Sequence, residues 1–372
     1  MLNTLRYFSW PLATGLLVAL LVLKTAPQLI GLPEIDMSMG LLNTQAPVSY
    51  AQAVQKAAPA VANLYTTKRV NAKGRRPDSP LYRHYFEDGG AAQKRIESSL
   101  GSAVIMHTDG YLLTNHHVIA DAEQIVVSLY DGRETIGRLI GTDPETDLAV
   151  LKIDLENLTS ITLGQNERLR IGDVALAIGN PLGVGQTVTM GIVSATGRNQ
   201  LGLSTYEDFI QTDAAINMGN SGGALVDAHG HLIGINTAIL SGGSQGIGFS
   251  IPANLAVEVM QSILSQGRVI RGWMGLEVQP LTQELAESFG IDAHTGVVVA
   301  AVYRNGPADK AGIQSGDLII SIDGISAHDG RSAMNQVARA RPGDVVAIEV
   351  LRDGKPLTLQ TIIGVRPPPS NQ

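Results

Sequence analysis

Apolar residues come in short bursts along most of this chain. Between Ala60 and about Pro252 the bursts are Val61 to Tyr65, Ser102 to Met106, Tyr111 to Thr114, Gln124 to Leu129, Leu148 to Ile153, Val174 to Ile178, Thr187 to Ala195, Ala224 to Val226, Leu232 to Asn236 and Gly248 to Ser250. Each is of strand length, and turn signals such as Thr108-Asp109-Gly110, Asp131-Gly132 and His229-Gly230 punctuate them. Many short strands at this spacing predict a barrel or sandwich. Lys68 to Ser99 is polar and poor in strand residues, which predicts a long surface loop. The period changes at Ala253 to Gln266, which carries apolar residues at Leu255, Val257, Val259, Met260, Ile263 and Leu264 and predicts a helix that ends at Gly267. A second, αβ pattern runs from Arg271 to about Val365. It has short helices at Pro307 to Ala311 and Ser332 to Ala340, a strand at Asp317 to Asp323, and a closing hairpin around Asp353-Gly354.

Ahead of the strands the pattern is different. Tyr7 to Leu23 is almost wholly apolar, with Arg6 before it and Lys24 after. That is the short limit for a membrane-spanning helix and longer than most signal-peptide cores. The positive charge favours keeping the N-terminus in the cytoplasm, which would put the rest across the membrane. A cleaved signal is the alternative. The expected organisation is a membrane helix over 1–24, a linker over 25–47, a large strand-rich domain over 48–266 and a small αβ domain over 271–366. The fold class is thus mainly β. Aromatics at 4% and 41 glycines fit short strands and tight turns. A net charge of −7 argues against nucleic acid as a partner. The absence of cysteine excludes disulfides, a thiol nucleophile and Cys-ligated zinc. No cofactor or metal is called for: His229-Gly230-His231 reads as a turn between strands.

Gly219-Asn220-Ser221-Gly222-Gly223 is the most informative pentapeptide. Glycines on both sides of a serine permit a sharp turn and let backbone N–H groups face a reacting oxygen. Alone it also matches a nucleophile elbow, but that fold places its acid and histidine after the serine. Here Thr114-Asn115-His116-His117-Val118 and Asp143 to Lys152 lie upstream, giving the order His, Asp, Ser of chymotrypsin-like enzymes. The residues themselves leave open which of His116 and His117, and which of Asp143 and Asp147, would serve.

T-N-H-H-V, D-P-E-T-D-L-A-V-L-K and G-N-S-G-G-A-L resemble the three catalytic blocks of the HtrA serine proteases. One N-terminal anchor with one C-terminal domain is similar to the DegS type. The resemblance implies a trypsin-like double β-barrel followed by one PDZ domain. It implies His117 as general base, with His116 at a variable surface position, Asp147 as the orienting acid and Ser221 as nucleophile. Gly219, Asn220 and Ser221 would form the oxyanion loop, and Asn220 stands where digestive enzymes carry an aspartate. Trp273, Met274, Gly275 and Leu276, within R-G-W-M-G-L, would bind a peptide's C-terminal carboxylate. Arg198 would relay that event to the oxyanion loop. Ile216, Met218 and Asn236 to Ala238 would line the specificity pocket. The implied partners are C-terminal peptides of outer-membrane proteins as activators, a membrane-spanning anti-sigma factor as substrate, the inner membrane, and two further copies in a homotrimer. A DegP-like general protease and a non-catalytic PDZ scaffold are the alternatives.

Overall fold

The computed structural model describes residues 14–19, 21–22, 49–70, 95–180, 185–217, 219–239, 246–289 and 296–366. The expected linker over 25–47, most of the expected membrane helix, Met218 and Gly242 to Gln245 lie outside them. Helical backbone is described at 14–19 and 21–22, and no helix among the described residues is long and apolar enough to cross a membrane. By contacts, Met1–Ser49 and Tyr50–Gln372 are two separate units.

The larger unit begins with α1 (Ala51–Ala57). Seven antiparallel strands follow: β1 (Val61–Val70), β2 (Arg95–His107), β3 (Tyr111–Asn115), β4 (Gln124–Ser128), β5 (Glu134–Ile136), β6 (Arg138–Asp143) and β7 (Leu148–Lys152). Their order is β5-β4-β1-β2-β3-β7-β6, and a one-turn helix α2 (His116–Ile119) interrupts the path after β3. The second sheet contains β8 (Thr162–Leu163), β9 (Val174–Gly179), β10 (Thr187–Arg198), β11 (Phe209–Thr212), β12 (Ala224–Val226), β13 (His231–Ile239) and β14 (Gly248–Pro252). Its order β12-β9-β10-β11-β14-β13 closes on itself because β12 also pairs with β13. Helix α3 (Ala253–Gln266) then ends on Gly267, whose φ of 71° is the left-handed conformation a helix stop requires.

Alternation along the strands explains how two barrels share one core. In β7, Ala149 and Leu151 enter the interior of the first barrel, while Leu148 and Val150 face the seam between barrels. In β9, Ala175 and Ala177 enter the second barrel and Leu176 and Ile178 face the same seam. Period-2 geometry with both faces buried produces the unbroken apolar runs seen in the sequence. The seam also takes Val259, Met260 and Ile263 of α3, which caps it.

The remaining elements are β15 (Gly272–Trp273), β16 (Leu276–Pro280), α4 (Gln283–Phe289), β17 (Val297–Val302), α5 (Pro307–Lys310), β18 (Leu318–Ile322), β19 (Ile325–Ser326), α6 (Gly330–Arg339), β20 (Val345–Arg352), β21 (Lys355–Ile362) and β22 (Gly364–Val365). They form a sheet ordered β16-β17-β18-β20-β21, with its own core of Val297, Val299, Ile319, Ile348 and Val350. Asp353 and Gly354, both at positive φ, make the expected hairpin turn. Helix α6 starts earlier than periodicity suggests, because the Asp329 carboxylate and Ser332 hydroxyl form a capping box there.

One expectation needs correction. Lys68 to Ser99 is not all loop: β1 and β2 stay paired out to Val70 and Arg95. Backbone hydrogen bonds alone can extend a hairpin whose sequence lacks an apolar pattern.

Candidate active site

His117 and Asp147 come together because β3 and β7 are neighbours. The register pairs Asn115 with Leu148, so the turn of α2 and the residue before β7 meet at one end of the sheet. Asp147 sits at φ 60°, a strained conformation that aspartate tolerates better than most residues. Its backbone is held there by its own carbonyl, which accepts from the His116 N–H at 3.0 Å and the Asn115 amide at 3.1 Å. Its carboxylate accepts the His117 backbone N–H at 2.9 Å on one oxygen. The other oxygen lies 2.7 Å from His117 Nδ1 and accepts the Thr237 hydroxyl at 2.8 Å. Burial raises the carboxyl's pKa and is the largest single influence. The imidazole's hydrogen bond and charge, the His117 N–H and the Thr237 hydroxyl together outweigh it, so the net shift is downward.

The two acids that the sequence left open are separated by their partners. Asp143 is buried, accepts from the Thr146 hydroxyl and is bound by the Arg271 guanidinium. It faces the C-terminal domain and is committed to structure. His116 is half-buried, not the surface residue expected, and its Nδ1 is shielded without a hydrogen-bond partner. The short helix turns His117 outward and its neighbour inward.

Ser221 reaches the same cleft from the second barrel. Its hydroxyl donates to the Thr237 carbonyl at 3.0 Å, and no hydrogen bond joins it to His117 among the described residues. Thr237 therefore touches both ends of the constellation, its carbonyl on the serine and its hydroxyl on the acid. The sequence places Thr237 within the expected pocket stretch Asn236 to Ala238, but nothing local marks its bond to the catalytic acid. The turn around Ser221 packs tightly on β2. Gly222, at φ 82°, has no room for a Cβ, which would lie 2.1 Å from the Ser102 carbonyl oxygen and 2.3 Å from Thr114 Oγ1. Gly222→Ala should cost about 2–4 kcal/mol from strain and overlap with backbone, read as a lowered denaturation midpoint. Asn220 is buried; its amide donates to the Ala215 carbonyl at 3.3 Å and its Oδ1 has no partner. Of the expected pocket residues, Ile216 is buried against Gly248, and the Asn236 side chain is occupied by Ala224 and Ser250.

In the C-terminal domain, β16 is an edge strand whose outer side has no partner strand among the described residues. Leu276 begins it, and Gly275, at φ 77°, turns the chain into it. The Met274 side chain packs in the core, so only its backbone is available to a ligand. Trp273 pairs with Gly364 and meets Tyr303 edge-on at 5.7 Å. Arg198 lies exposed at the end of β10, with its guanidinium on Gln211 at 2.9 Å. Contacts that join the two domains are instead made by the segment just after it and by Asp143 and Glu145. Arg271 and Arg366 flank the Tyr206 ring and both reach Glu145, Asn335 donates to the Glu207 carbonyl at 2.8 Å, and Arg339 pairs with Asp208 at 2.7 Å. The ion pairs to Glu145 alone span 126 and 221 residues, and none of these contacts leaves a local sequence signal.

A closed barrel packed on a second sheet, with His, Asp and Ser in one cleft, defines the trypsin-like class. Residues 101–235 match the trypsin-like peptidase domain and residues 272–363 the PDZ domain. The serine endoprotease DegS of Escherichia coli K12 is 43% identical over 358 residues, covering 94% of this chain and 96% of DegS. A probable periplasmic DegP-like serine endoprotease of Pseudomonas putida F1 is 42% identical over 332 residues, covering 84% and 69%. Among solved structures, the HtrA-type protease AlgW with tripeptide superimposes at a TM-score of 0.72 with 63% identity, covering 87% of this chain and 99% of that one. AlgW with decapeptide gives 0.71 and 65%, covering 87% and 100%. The chain belongs to the HtrA family of serine proteases, of the DegS type, and is a serine endopeptidase.

Proposed function

We propose that this is a membrane-anchored periplasmic protease switched on by C-terminal peptides, with a protease domain over 48–266 and a PDZ domain over 271–366. Ser221 attacks the scissile carbonyl. His117 takes its proton and returns it to the leaving amine, and Asp147 holds the imidazole tautomer and its cationic form. The backbone N–H groups of Gly219 and Ser221 receive the developing oxyanion. An incoming peptide adds as a strand beside Leu276 to Val278, its carboxylate held by backbone N–H groups of the Trp273 to Leu276 turn. Arg198, next to the segment that touches the PDZ domain, passes the change to the oxyanion turn.

One observation carries the reading. The Ser221 hydroxyl is 3.0 Å from the Thr237 carbonyl while His117 is already seated on Asp147. The acid–base pair is assembled while the nucleophile's hydroxyl is engaged elsewhere, as suits an enzyme awaiting a signal. Peptide-bound AlgW and the periplasmic relatives support activation by peptide and a periplasmic site of action. The apolar Tyr7 to Leu23 stretch supports the inner-membrane anchor. A transmembrane anti-sigma factor as substrate, outer-membrane protein C-termini as activators and a homotrimer follow from the DegS likeness.

A fluorophosphonate probe tests this. Labelling should map to Ser221 and speed up with saturating C-terminal peptide. No labelling at any peptide concentration would make the chain a scaffold, and labelling indifferent to peptide would remove the switch.

A further inference from the structure

Ser102 lies on β2 of the first barrel, fully buried, far from the nucleophile in sequence and in contact with its turn. Its hydroxyl donates to the Gly219 carbonyl at 2.7 Å and accepts the Asn180 N–H at 3.0 Å. Its own N–H donates to the Ser221 carbonyl at 2.8 Å, and its carbonyl accepts the Thr114 hydroxyl at 2.7 Å. Every hydrogen-bonding group of this one residue is engaged, and two of the four bonds go to the turn that carries the nucleophile.

Those two bonds hold the peptide units on either side of the one that carries the Ser221 N–H. Each peptide unit is planar and trans, so fixing its carbonyl or its N–H fixes the other. In the 219–220 unit, Ser102 takes the carbonyl and the Asn220 N–H donates to Asn217 at 2.9 Å. In the 221–222 unit, Ser102 takes the carbonyl and the Gly222 N–H donates to Asn236 at 2.8 Å. Between them, the Asn220 carbonyl accepts the Gly223 N–H at 2.9 Å, which aims the Ser221 N–H the opposite way. With the flanking units pinned from the other barrel, the unit bearing that N–H cannot swivel.

We propose that Ser102 is a positioning residue for the oxyanion donor of Ser221, clamping the nucleophile turn of the second barrel to β2 of the first. This rests on the reading of Ser221 as nucleophile. The same hydroxyl accepts from Asn180, whose side chain accepts the Gly185 N–H at 2.9 Å. The clamp therefore also ties the oxyanion turn to Asn180, just after β9. A donor aimed at a developing charge loses value steeply when displaced, and outright loss of one costs about 10²–10³ in kcat. Removing the clamp leaves the donor present but unaimed.

The test is Ser102→Ala in the full chain, assayed with a fluorogenic peptide under saturating activator and with the fluorophosphonate probe. The expected result is a kcat lowered about 10–100-fold per folded enzyme, with KM within about twofold. Ser102→Cys retains a weak donor and should recover part of the loss. A kcat within twofold of wild type, or a loss that vanishes once folded fraction is counted, would overturn the clamp. Wild-type enzyme that never labels at Ser221 would overturn the nucleophile reading beneath it instead.

Discussion

Asp147→Asn should lower kcat about 10⁴-fold without unfolding the protein. One oxygen of Asp147 accepts the His117 backbone N–H and the other faces His117 Nδ1 and takes the Thr237 hydroxyl. An asparagine has one acceptor oxygen and a donating NH₂. If the oxygen keeps the backbone N–H, the NH₂ faces Nδ1 and forces the tautomer with its proton on Nε2. That imidazole cannot take a proton from Ser221. The measurement is kcat per labelled active site, with thermal unfolding as the control. The substitution also changes acid stability. The carboxyl's folded pKa is depressed, so its contribution is fully present above the unfolded value of about 3.9 and is lost as pH falls through the lower folded value. Wild type should shed this part of its stability below about pH 4, and Asp147→Asn should titrate less steeply there.

Arg271→Ala should be the most destabilising single change at the domain boundary, by about 3–5 kcal/mol. Its guanidinium is 9% exposed and the Asp143 carboxylate 6%, so removing one strands the other away from water. Among the described residues, the Thr146 hydroxyl would be the one side-chain partner left to Asp143. The same change removes the cation stacked 4.2 Å over the Tyr206 ring and one of the two arginines on Glu145. Replacing both Arg271 and Asp143 with apolar residues of similar size should cost far less, because neither charge is then left buried alone. Calorimetry separates these cases. If the docked arrangement is the resting one, peptide-independent cleavage should rise in Arg271→Ala and the further gain on adding peptide should shrink.

Elements whose physics is local were readable in the chain. Leu148 to Ile153 is apolar at every position but one because both its faces are buried, and Asp353-Gly354 turns because both residues accept positive φ. The order of His117, Asp147 and Ser221 was informative because so few folds use it. Distance along the chain hid the rest. Ser102 acts through a residue 117 positions away, and Thr237, expected only as a pocket residue, also holds an acid 90 positions away; neither residue type is unusual in a strand. Arg271 was read as part of a peptide-binding turn, and only folding shows its guanidinium pointing back to Asp143. The contrast between His116 and His117 depends on how one helical turn is rotated, which adjacent identical residues cannot encode.

Asp143 and Asp147 are four residues apart on one corner between β6 and β7. The first is gripped by an arginine of the PDZ domain and the second by His117. Any force that drags the distal domain outward is thus delivered to the corner holding the imidazole, across a three-residue turn that ends on the strained backbone of Asp147. Substitutions at Glu145, which touches no reacting group, should therefore surface as altered turnover, and the two tasks of this corner cannot drift independently during evolution.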